Sequence, residues 1–388
     1  MLICLFDHSP KKGVVAMLIG VPKEIKNHEY RVGLTPQSVQ ELTVHGHRVL
    51  VETGAGSGIG SADEEYEAAG AQIALDASEV FSQAEMIVKV KEPQAGERAM
   101  LREEQILFTY LHLAPDRPQT DDLMRSKAVC IAYETVTSPA GGLPLLAPMS
   151  EVAGRLSIQA AAHCLERVHG GKGVLMGGVP GVSPAKVVVI GGGMVGTHAA
   201  DVAVGMGADT TVIDRSPDAL RSLWRQFGHS LLTAYSTRSS IERSVLEADV
   251  VIGGVLVPGA AAPKLVSAQM IREMKPGSVV VDVAIDQGGC FETSRPTTHS
   301  DPTYIVDDVV HYCVANMPGA VPRTSTFALN NVTLPHVLTL ADKGYRKALQ
   351  EDPHLREGLN VHAGEITCLE VAKAFDYPFK PALEALAA

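Results

Sequence analysis

The chain has 388 residues, of which 46% are apolar and 20% are charged, and its formal net charge is −11. This length and composition are typical of a globular protein with two domains rather than one compact core. The acidic balance excludes nucleic acid as the main partner, because no basic surface is present to neutralise phosphates. No apolar run approaches the roughly 18 residues that a membrane span needs, so no membrane partner is expected either.

The cysteines and the first residues of the chain indicate the cellular compartment of the protein. Six cysteines are widely scattered, without the close pairs of a disulfide framework or zinc knuckle, which indicates buried thiols in a reducing compartment. A short apolar stretch precedes Lys11 and Lys12, whereas a signal peptide places its charges before the apolar part. We therefore expect a cytoplasmic protein in which residues 1–16 are an N-terminal extension and Met17 opens the first strand.

Strand-like apolar runs alternate with helical stretches from Met17 onward. The strands predicted in this part are Leu18–Val21, Arg48–Glu52, Met86–Lys91 and Ile106–His112. Helices are predicted to begin at Pro36, with Thr35 as the cap, and at Glu64. This alternation is typical of a parallel sheet covered by helices, the doubly wound pattern.

A Pro- and Gly-rich stretch at residues 138–144 interrupts the pattern, and a long helix that Ser150 is predicted to cap follows it. The second alternating run has predicted strands at Lys186–Ile190, Thr210–Asp214, Asp249–Gly253, Ser278–Val283 and Tyr304–Val306. The last 65 or so residues are rich in alanine, and we expect them to be helical and to pack on the first domain. The predicted fold class is therefore α/β, with two doubly wound, Rossmann-like domains.

One segment of the second run is typical of a dinucleotide-binding turn. After the strand at 186–190, Gly191, Gly193 and Gly196 have the spacing G-x-G-x-x-G and open a helix. The first glycine allows a tight turn, the second lets a pyrophosphate approach the backbone, and the third lets helix and strand pack closely. Asp214 ends the next strand, eighteen residues after Gly196, where a carboxylate binds the ribose hydroxyls of NAD. Glycines also end ordinary strands, but the strand, turn, helix and acid together indicate NAD as the cofactor.

Four polar residues near strand ends are candidates for substrate chemistry: Arg31, Lys91, His112 and Asp286. A guanidinium in the loop after the first strand can bind a carboxylate through two parallel hydrogen bonds, but a surface arginine in a salt bridge fits Arg31 equally well. Lys91 ends a predicted strand, where open α/β sheets place their ligands. Because Lys89 shares its strand face, one of these two lysines is alternatively a solvated residue at a sheet edge.

The remaining two candidates also have competing interpretations. A lone histidine on an apolar strand is more often a core residue, but His112 falls at the same sheet edge as Lys91, and an imidazole suits proton transfer near neutral pH. Asp286 follows a buried strand of the nucleotide domain, where it either caps a turn or faces the nicotinamide ring. The sequence contains no HExxH motif, close Cys/His cluster or EF-hand loop, so no metal is predicted.

These residues lie in motifs that resemble the alanine dehydrogenase family, which is related to the nucleotide-binding subunit of transhydrogenases. In chain order the motifs are GVPKEIKN (20–27), RVGLTP (31–36), KVKEP (89–93), FTYLHLA (108–114), LLAPMSEVAGR (145–155), GGVPG (177–181), VLVPGA (255–260), DVAIDQGGCFE (282–292) and VANMP (314–318). The resemblance covers nearly the whole chain from Met17 to about Phe379, and a set of this size in this order is highly specific.

The resemblance implies a nucleotide-binding domain at 145–322, inserted into a substrate domain made of residues 17–144 and 323–388. It also implies a homohexamer and small-molecule substrates, with NAD-dependent deamination of L-alanine to pyruvate and ammonium, and the reverse reductive amination. The alternatives are a saccharopine-type dehydrogenase, the nucleotide-binding subunit of a transhydrogenase, and an NAD-binding protein without catalytic activity.

The resemblance also implies roles for single residues. Arg31 and Lys91 bind the substrate, His112 and Asp286 are the catalytic pair, and Asn316 lies close to both ligands. Besides Asp214, Asp286 and Asn316, the residues implied to contact NAD are Ser150, Met194, Val195, Ser236, Val255, Leu256, Ile285, Arg295, Val314 and Met317.

Two features depart from the family pattern. Arg215 follows Asp214 where an aliphatic residue is expected, and an arginine there can attract the 2′-phosphate of NADP. Some members of the family place a metal between positions that match Glu134 and Lys343. Because a protonated lysine is not a metal ligand, an ion pair between Glu134 and Lys343 is expected instead.

Overall fold

The structure of the protein is a computed structural model that describes residues 16–255 and 262–387. The extension predicted for residues 1–16 lies almost wholly outside the described residues, and Leu256 also lies outside them. The described residues form two compact units. The second unit is Met149–Ala320, and the first unit comprises the chain before and after it.

The unit boundaries differ slightly from the predicted domain boundaries. They follow Pro148 and Ala320, whereas the prediction placed them after residues 144 and 322. The difference arises because long helices begin near both boundaries, at Ala147 and Pro322. The Pro- and Gly-rich stretch therefore belongs to the first unit and does not separate the two.

The first segment of the chain alternates strands and helices as predicted. Its strands are β1 (Leu18–Val21), β2 (Arg48–Glu52), β3 (Gln72–Ala74), β4 (Met86–Val88), β5 (Ile106–Thr109) and β6 (Val129–Ala132). Its helices are α1 (Pro36–Val44), α2 (Asp63–Ala68), α3 (Ala77–Gln83), α4 (Ala95–Arg98) and α5 (Arg117–Ser126). Neighbouring strands among these six pair in parallel, and β1, β4, β5 and β6 are buried along their whole length. Such strands are continuously apolar because both sheet faces are covered.

The second unit repeats this architecture. Its strands are β7 (Lys186–Ile190), β8 (Asp209–Asp214), β9 (Leu232–Tyr235), β10 (Val250–Gly253), β11 (Val279–Asp282), β12 (Thr303–Val306) and β13 (Val309–Tyr312). Its helices are α6 (Ala147–Cys164), α7 (Met194–Gly205), α8 (Pro217–Phe227), α9 (Arg238–Glu247) and α10 (Ala268–Glu273). The strand order is β12-β13-β11-β10-β7-β8-β9, and every pair is parallel except β12 with β13. Because α6 begins at Ala147, Ser150 lies in its first turn, and the prediction that Ser150 caps this helix is wrong.

The chain then returns to the first unit. The return segment contains α11 (Pro322–Lys343), α12 (Tyr345–Glu351), α13 (Pro353–Arg356), β14 (Leu359–His362), β15 (Glu365–Ile366), α14 (Leu369–Phe375) and α15 (Ala382–Ala387). The expectation of a purely helical return is wrong, because β14 pairs antiparallel with β6 and β15 pairs with β14. The first sheet therefore has eight strands in the order β15-β14-β6-β5-β4-β1-β2-β3.

The structure confirms the predicted α/β class with two Rossmann-like sheets. In both sheets the strand order reverses beside the first strand of the unit, which is β1 in the first sheet and β7 in the second. The strands that follow therefore lie on both sides of this first strand, as the doubly wound pattern requires. Among the residues that the structure describes, no helix is long and apolar enough to cross a bilayer.

Candidate functional site

The first unit brings several predicted residues to one edge of its sheet. Parallel strands β1, β4, β5 and β6 are neighbours, so the chain leaves all four at the same carboxyl edge. Arg31, Lys91, His112 and Glu134 follow these four strands in that order. The strands β4 and β5 end three residues before Lys91 and His112, so both residues lie in loops rather than in the strands that the sequence predicts.

Arg31 is buried, with only 2% of its surface exposed. Its Nε and Nη2 donate to the two carboxylate oxygens of Glu29 at 2.7 and 2.5 Å, which fixes the plane of the guanidinium. The interpretation of Arg31 as a surface arginine in a salt bridge is half right, because the ion pair with Glu29 is present but is buried inside the unit. A buried, oriented guanidinium of this kind is a suitable receptor for a carboxylate.

A buried helix residue holds the loop that carries Arg31. Asn330 of α11 accepts a hydrogen bond from the N–H of Thr35 at 2.9 Å and donates to the carbonyl of Gly33 at 3.2 Å. Gly33 itself approaches β4 so closely that a Cβ there would lie 2.3 Å from the carbonyl oxygen of Val88. The return segment of the chain thus fixes the loop between β1 and α1.

The two lysines after β4 differ completely in environment. Lys89 is fully buried, with its Nζ 2.6 Å from Glu97 and 3.2 Å from Glu24. Burial alone would lower the pKa of Lys89, but the two carboxylates together raise it. Lys91 is half-buried, and Glu24 accepts its backbone N–H at 3.2 Å. The alternative of a solvated edge lysine is therefore excluded for Lys89.

The ammonium of Lys91 influences its surroundings. Burial would raise the pKa of Glu92, but Lys91 and Lys26 together lower it, which shows that positive charge gathers at this strand end. The carbonyl of Lys91 also accepts the hydroxyl of Thr109 at 3.0 Å. Lys91 is therefore a charged side chain on a fixed backbone, at the edge where an open sheet binds ligands.

His112 is exposed and held by the groups around it. Its backbone has a positive φ of 49°, and its N–H donates to Glu134 at 2.6 Å. Its imidazole stacks on the ring of Tyr110, with the centroids 5.8 Å apart and the planes 3° apart, and its Nδ1 lies 3.8 Å from Glu134. Burial raises the pKa of Tyr110 strongly, and the charge of Arg31 opposes this rise. Because the side chain of His112 is 45% exposed, the core-residue interpretation of His112 is wrong.

The residues present do not fit a metal between Glu134 and Lys343. Glu134 accepts hydrogen bonds from the N–H groups of Leu111 and His112, while the Nζ of Lys343 lies 2.7 Å from Glu351. The predicted ion pair between Glu134 and Lys343 is therefore wrong as well. Glu134 acts instead on the backbone that carries His112.

The dinucleotide turn has the geometry that its glycines predict. Gly191 has a φ of 103°, and a Cβ at Gly196 would lie 1.7 Å from the carbonyl oxygen of Gly191. At Gly193 a Cβ would meet nothing within 4 Å, so the backbone there faces open space. Gly193 also precedes the first residue of α7, Met194, whose helix N-terminus offers N–H groups to a phosphate.

Asp214 ends β8 beside this turn. One carboxylate oxygen accepts the N–H of Gly192 at 2.6 Å and the other accepts the N–H of Ser216 at 2.6 Å. The backbone carbonyl of Asp214 accepts the N–H of Ser236 at 2.9 Å. A carboxylate oxygen can accept two hydrogen bonds, so Asp214 can hold the turn and a ribose hydroxyl together. Arg215 is exposed and follows it in the loop.

A single buried carboxylate shapes the loop that carries Asp286. Asp282 ends β11, is fully buried, and accepts the N–H of Cys290 at 2.8 Å and the hydroxyl of Ser294. Burial raises the pKa of Asp282. Asp286 lies in a single turn at Ile285–Gln287 and is exposed, and no described residue donates a hydrogen bond to its carboxylate. The alternative in which Asp286 caps a turn through its side chain is not observed.

The other residues implied to contact NAD lie at the carboxyl edge of the second sheet or near it. Val255 lies beside the turn, since a Cβ on Gly191 would be 3.0 Å from it. A Cβ on Gly154 of α6 would lie 2.3 Å from the carbonyl oxygen of Val195, so α6 packs directly on the first turn of α7, one helical turn after Ser150. Met194 is exposed, whereas Val195, Ile285, Val314 and Met317 are buried.

Arg295 and Asn316 lie near the edge strands β12 and β13 of this sheet. The guanidinium of Arg295 lies 4.1 Å from the centroid of Tyr304 in β12. Asn316 has a positive φ of 60°, and the ring of His299 lies within hydrogen-bonding distance of its carbonyl, at 3.2 Å. The predicted cofactor residues thus lie along the carboxyl edge of the second sheet, with Arg295 beside the outermost strand, β12.

Five residues orient the site, although the sequence predicts no such role for them: Glu24, Tyr110, Glu134, Asp282 and Asn330. Each is buried or half-buried and contacts a predicted residue or the loop that carries one. Glu24, Tyr110 and Asp282 lie inside recognisable motifs, so motif position was the signal available for them. Asn330 and Glu134 lie outside every motif, and spacing carries no signal for either.

The fold and these sites define the class of dinucleotide-dependent dehydrogenases. A family model described as "Alanine dehydrogenase/PNT, N-terminal domain" matches residues 20–153, and one described as "Alanine dehydrogenase/PNT, C-terminal domain" matches residues 157–369. The chain therefore belongs to the alanine dehydrogenase/PNT family.

Comparison with individual relatives supports this family membership. The chain is 60% identical to an alanine dehydrogenase from Halomonas elongata, over 92% of this chain and 97% of the relative. It is 57% identical to one from Mycolicibacterium smegmatis, over 96% of this chain and the whole of the relative. Among solved structures, an L-alanine dehydrogenase has a TM-score of 0.91 at 54% identity, covering 93% of this chain and 99% of that one. A transhydrogenase from Sinorhizobium meliloti has a TM-score of 0.79 at 25% identity, with 90% and 99% covered.

Proposed function

We propose that the chain is an NAD-dependent dehydrogenase that converts L-alanine to pyruvate and ammonium and catalyses the reverse reductive amination. The observation that supports this most is the position of Arg31, Lys91 and His112 at one edge of the first sheet. That edge offers two cations and an imidazole, which are the groups that an amino acid carboxylate and a proton transfer require.

The dinucleotide turn of the second unit fits the cofactor. The positive φ of Gly191, the open space at Gly193 and the close approach at Gly196 form a cradle that larger side chains would fill. The first turn of α7 and Asp214 would hold the pyrophosphate and the ribose. When bound, NAD accepts a hydride from the Cα of alanine, and NADH returns it to the imine formed from pyruvate and ammonia.

In this proposal Arg31 binds the substrate carboxylate, and its pair with Glu29 presents the guanidinium in one orientation. Lys91 interacts with the carbonyl oxygen of pyruvate, or with the carbinolamine oxygen, where its charge stabilises developing negative charge. Before any ligand binds, Asn330 holds the loop that carries Arg31, and Glu24 accepts the backbone N–H of Lys91. Such preorganisation lowers the free energy that binding would otherwise lose to ordering.

His112 and Asp286 move the protons. After hydride transfer, water adds to the iminium carbon, and the carbinolamine loses ammonia, and each of these steps needs a base or an acid. Since the Nδ1 of His112 faces Glu134, we assign the proton transfer to its Nε2. By resemblance to the family, Asp286 is the second catalytic residue of this proposal, and Asn316 is a polar contact to both ligands.

The quaternary structure and location stay proposals. A homohexamer is proposed from family resemblance. A cytoplasmic location is consistent with the described cysteines Cys130, Cys164, Cys290, Cys313 and Cys368, all of which are buried thiols.

The substrate assignment is tested by measuring NADH oxidation with two pairs of substrates. We expect rapid oxidation with pyruvate plus ammonium, and very slow oxidation with 2-oxoglutarate plus lysine, because in this proposal Arg31 binds a single carboxylate and Lys91 binds the carbonyl oxygen. Hydride transfer from NADH to an oxidised nucleotide analogue in the absence of any oxoacid serves as the transhydrogenase control. Equal rates with the two oxoacids, or fast transfer in the control, would exclude the proposed function.

A further inference from the structure

Three potential metal ligands converge at the end of α6 in the second unit. One ligand atom from each of His163, Glu166 and His169 lies within 4.8 Å of the other two. The Nδ1 of His163 is 3.7 Å from one carboxylate oxygen of Glu166, and the Nε2 of His169 is 3.6 Å from the other. The carboxylate therefore lies near both imidazoles, and the two rings contact each other with their centroids 3.8 Å apart.

These distances are close to those of a metal site but too long for direct hydrogen bonds. With metal–ligand bonds of about 2.1 Å, the ligand atoms of a tetrahedral site are roughly 3.4 Å apart. The three ligand atoms, which lie within 4.8 Å of one another, therefore need to approach one another by at most about 1.4 Å to reach this spacing. The three side chains are 38–62% exposed, so this movement disturbs no core packing.

The donor set selects the kind of ion. Two imidazole nitrogens and one carboxylate oxygen suit Zn²⁺ and the neighbouring first-row transition metals, whereas Mg²⁺ and Ca²⁺ prefer oxygen ligands throughout. Cys164 lies in the same region, but its thiol is buried and supplies none of the three ligand atoms of the cluster.

The cluster lies beside a cavity of about 460 Å³ in the second unit. His163 and His169 line this cavity, together with Val168 and with Ile305 and Tyr312 of the edge strands β12 and β13. Three protein ligands leave at least one coordination position of a tetrahedral ion to water or another small ligand, and the cavity provides room for it.

The site is separate from the dinucleotide turn. Three residues after His169, the N–H of Lys172 donates to the carbonyl of Gly277 at 2.9 Å, and its Nζ lies 2.5 Å from Asp249. Gly277 and Asp249 precede β11 and β10, so this segment is attached at the amino ends of the strands. Gly191 and Asp214 lie at the opposite, carboxyl edge.

We propose that His163, Glu166 and His169 bind one divalent transition-metal ion of the zinc class, which clamps the end of α6 to the turn at Arg167–His169. The ion lies at the edge of the second sheet away from the cofactor, so it stabilises the fold and takes no part in hydride transfer.

The test uses tag-free, full-length protein depleted of metal with a chelator and then titrated with Co²⁺. We expect one Co²⁺ per chain with the visible absorption of a nitrogen- and oxygen-ligated ion, its displacement by Zn²⁺, and a higher thermal midpoint at saturating Zn²⁺. His163→Ala and His169→Ala should each weaken Zn²⁺ binding at least tenfold and abolish the thermal shift. Glu166→Gln keeps the size of the side chain and should weaken binding similarly.

His229→Ala is the matched control, because it removes another exposed histidine of the same unit, and it should bind Zn²⁺ as the wild type does. Metal-free His163→Ala, His169→Ala and Glu166→Gln should retain the wild-type circular dichroism spectrum and dehydrogenase activity. His163→Gln and His169→Gln replace the alanine variants if either of those misfolds. Absence of Co²⁺ binding in the wild type, or unchanged affinity in these histidine variants, would overturn the proposal.

Discussion

His112 adopts a backbone conformation that few residues other than glycine, asparagine and aspartate adopt. Its φ of 49° lies in the left-handed region, which costs of order 1–3 kcal/mol unless the surroundings specify it. Here Glu134 accepts the N–H groups of both Leu111 and His112, and the ring of Tyr110 is parallel to the imidazole, with the centroids 5.8 Å apart. The strain is therefore offset locally, and the imidazole is presented at the sheet edge in a fixed direction.

If His112 and Asp286 transfer protons, removing either group should reduce turnover without reducing NADH binding. For His112→Ala and Asp286→Asn we expect kcat to fall by roughly 10²–10⁴-fold, the usual contribution of a general acid or base. The dissociation constant of NADH, measured by fluorescence, should change little, because Gly191, Gly193 and Asp214 are unaltered. A variant that retains more than about a tenth of the wild-type kcat would show that its residue is not a primary acid–base group.

Asp214 and Arg215 are expected to have opposite effects on the preference for NAD over NADP. The carboxylate of Asp214 is fixed by the N–H groups of Gly192 and Ser216 and would repel a 2′-phosphate. Arg215 is exposed, so its attraction for that phosphate is weakened by solvent and requires reorientation. We expect kcat/KM for NADH to exceed that for NADPH at least about tenfold, which corresponds to 1.4 kcal/mol.

The two positions can be separated by single substitutions. Asp214→Ala should narrow the difference between NADH and NADPH, and Arg215→Ala should widen it. Equal kcat/KM values in the wild type, or a preference for NADPH, would mean that Arg215 rather than Asp214 determines the choice.

At the scale of elements, α11 positions the loop that carries Arg31. Asn330 accepts from Thr35 and Ser38 and donates to the carbonyl of Gly33, and Thr326, one turn earlier, accepts the N–H of Val32 at 3.4 Å. Residues that are nearly 300 positions apart in the chain thus form one substrate-binding element.

Asn330→Ala should therefore affect both stability and substrate binding. Leaving buried backbone groups without partners costs about 1–3 kcal/mol, and a displaced Arg31 should lower kcat/KM for pyruvate by roughly tenfold or more, mainly through KM. Thr339→Ala is the control, since Thr339 lies on the same helix and its hydroxyl donates only to Pro335 of that helix. A loss of stability with an unchanged KM would limit Asn330 to a structural role.

The elements that sequence patterns predict well are those with continuous apolar strands and glycine turns. β1, β2 and β7 have the predicted bounds, and the glycines of the turn have the predicted geometry. The predicted ends of β4 and β5, at Lys91 and His112, lie three residues beyond the observed ends. The apolar pattern continues into the following loops, which side chains of distant residues hold in place. β14 was missed because four residues within an alanine-rich segment form a strand only beside β6.

The sequence predicts which residues form the candidate site but not how their side chains and loops contact one another. Motif resemblance identified Arg31, Lys91 and His112, and the strand order then explains why they share an edge. Asn330 could not be predicted, and Glu134 was predicted only as a partner of Lys343, since each acts through backbone groups that are distant in sequence. The His163 cluster was missed for a similar reason: its residues are three apart, and only the turn after α6 brings them together.

The whole molecule consists of two units with separate hydrophobic cores. The core of the first unit joins residues of the first segment, such as Leu107 and Cys130, to residues of the return segment, such as Val361. The core of the second unit lies entirely within its continuous segment and includes Ile213 and Val251. A unit with a continuous chain and its own core meets the physical requirements for independent folding.

We therefore expect residues 147–320, which include the whole of α6, to fold when produced alone. Their thermal unfolding should be cooperative by circular dichroism, and NADH should bind with fluorescence enhancement, because the turn at Gly191 and the carboxylate of Asp214 lie within this segment. Residues 16–148 are the matched comparison: without the return segment, the open edge of β6 loses its partner β14 and the loop of Arg31 loses Asn330. An unpaired edge strand promotes aggregation, so this segment should not fold alone. A non-cooperative transition in 147–320, or a stable fold in 16–148, would show that the division into a continuous and a discontinuous unit does not determine how the protein folds.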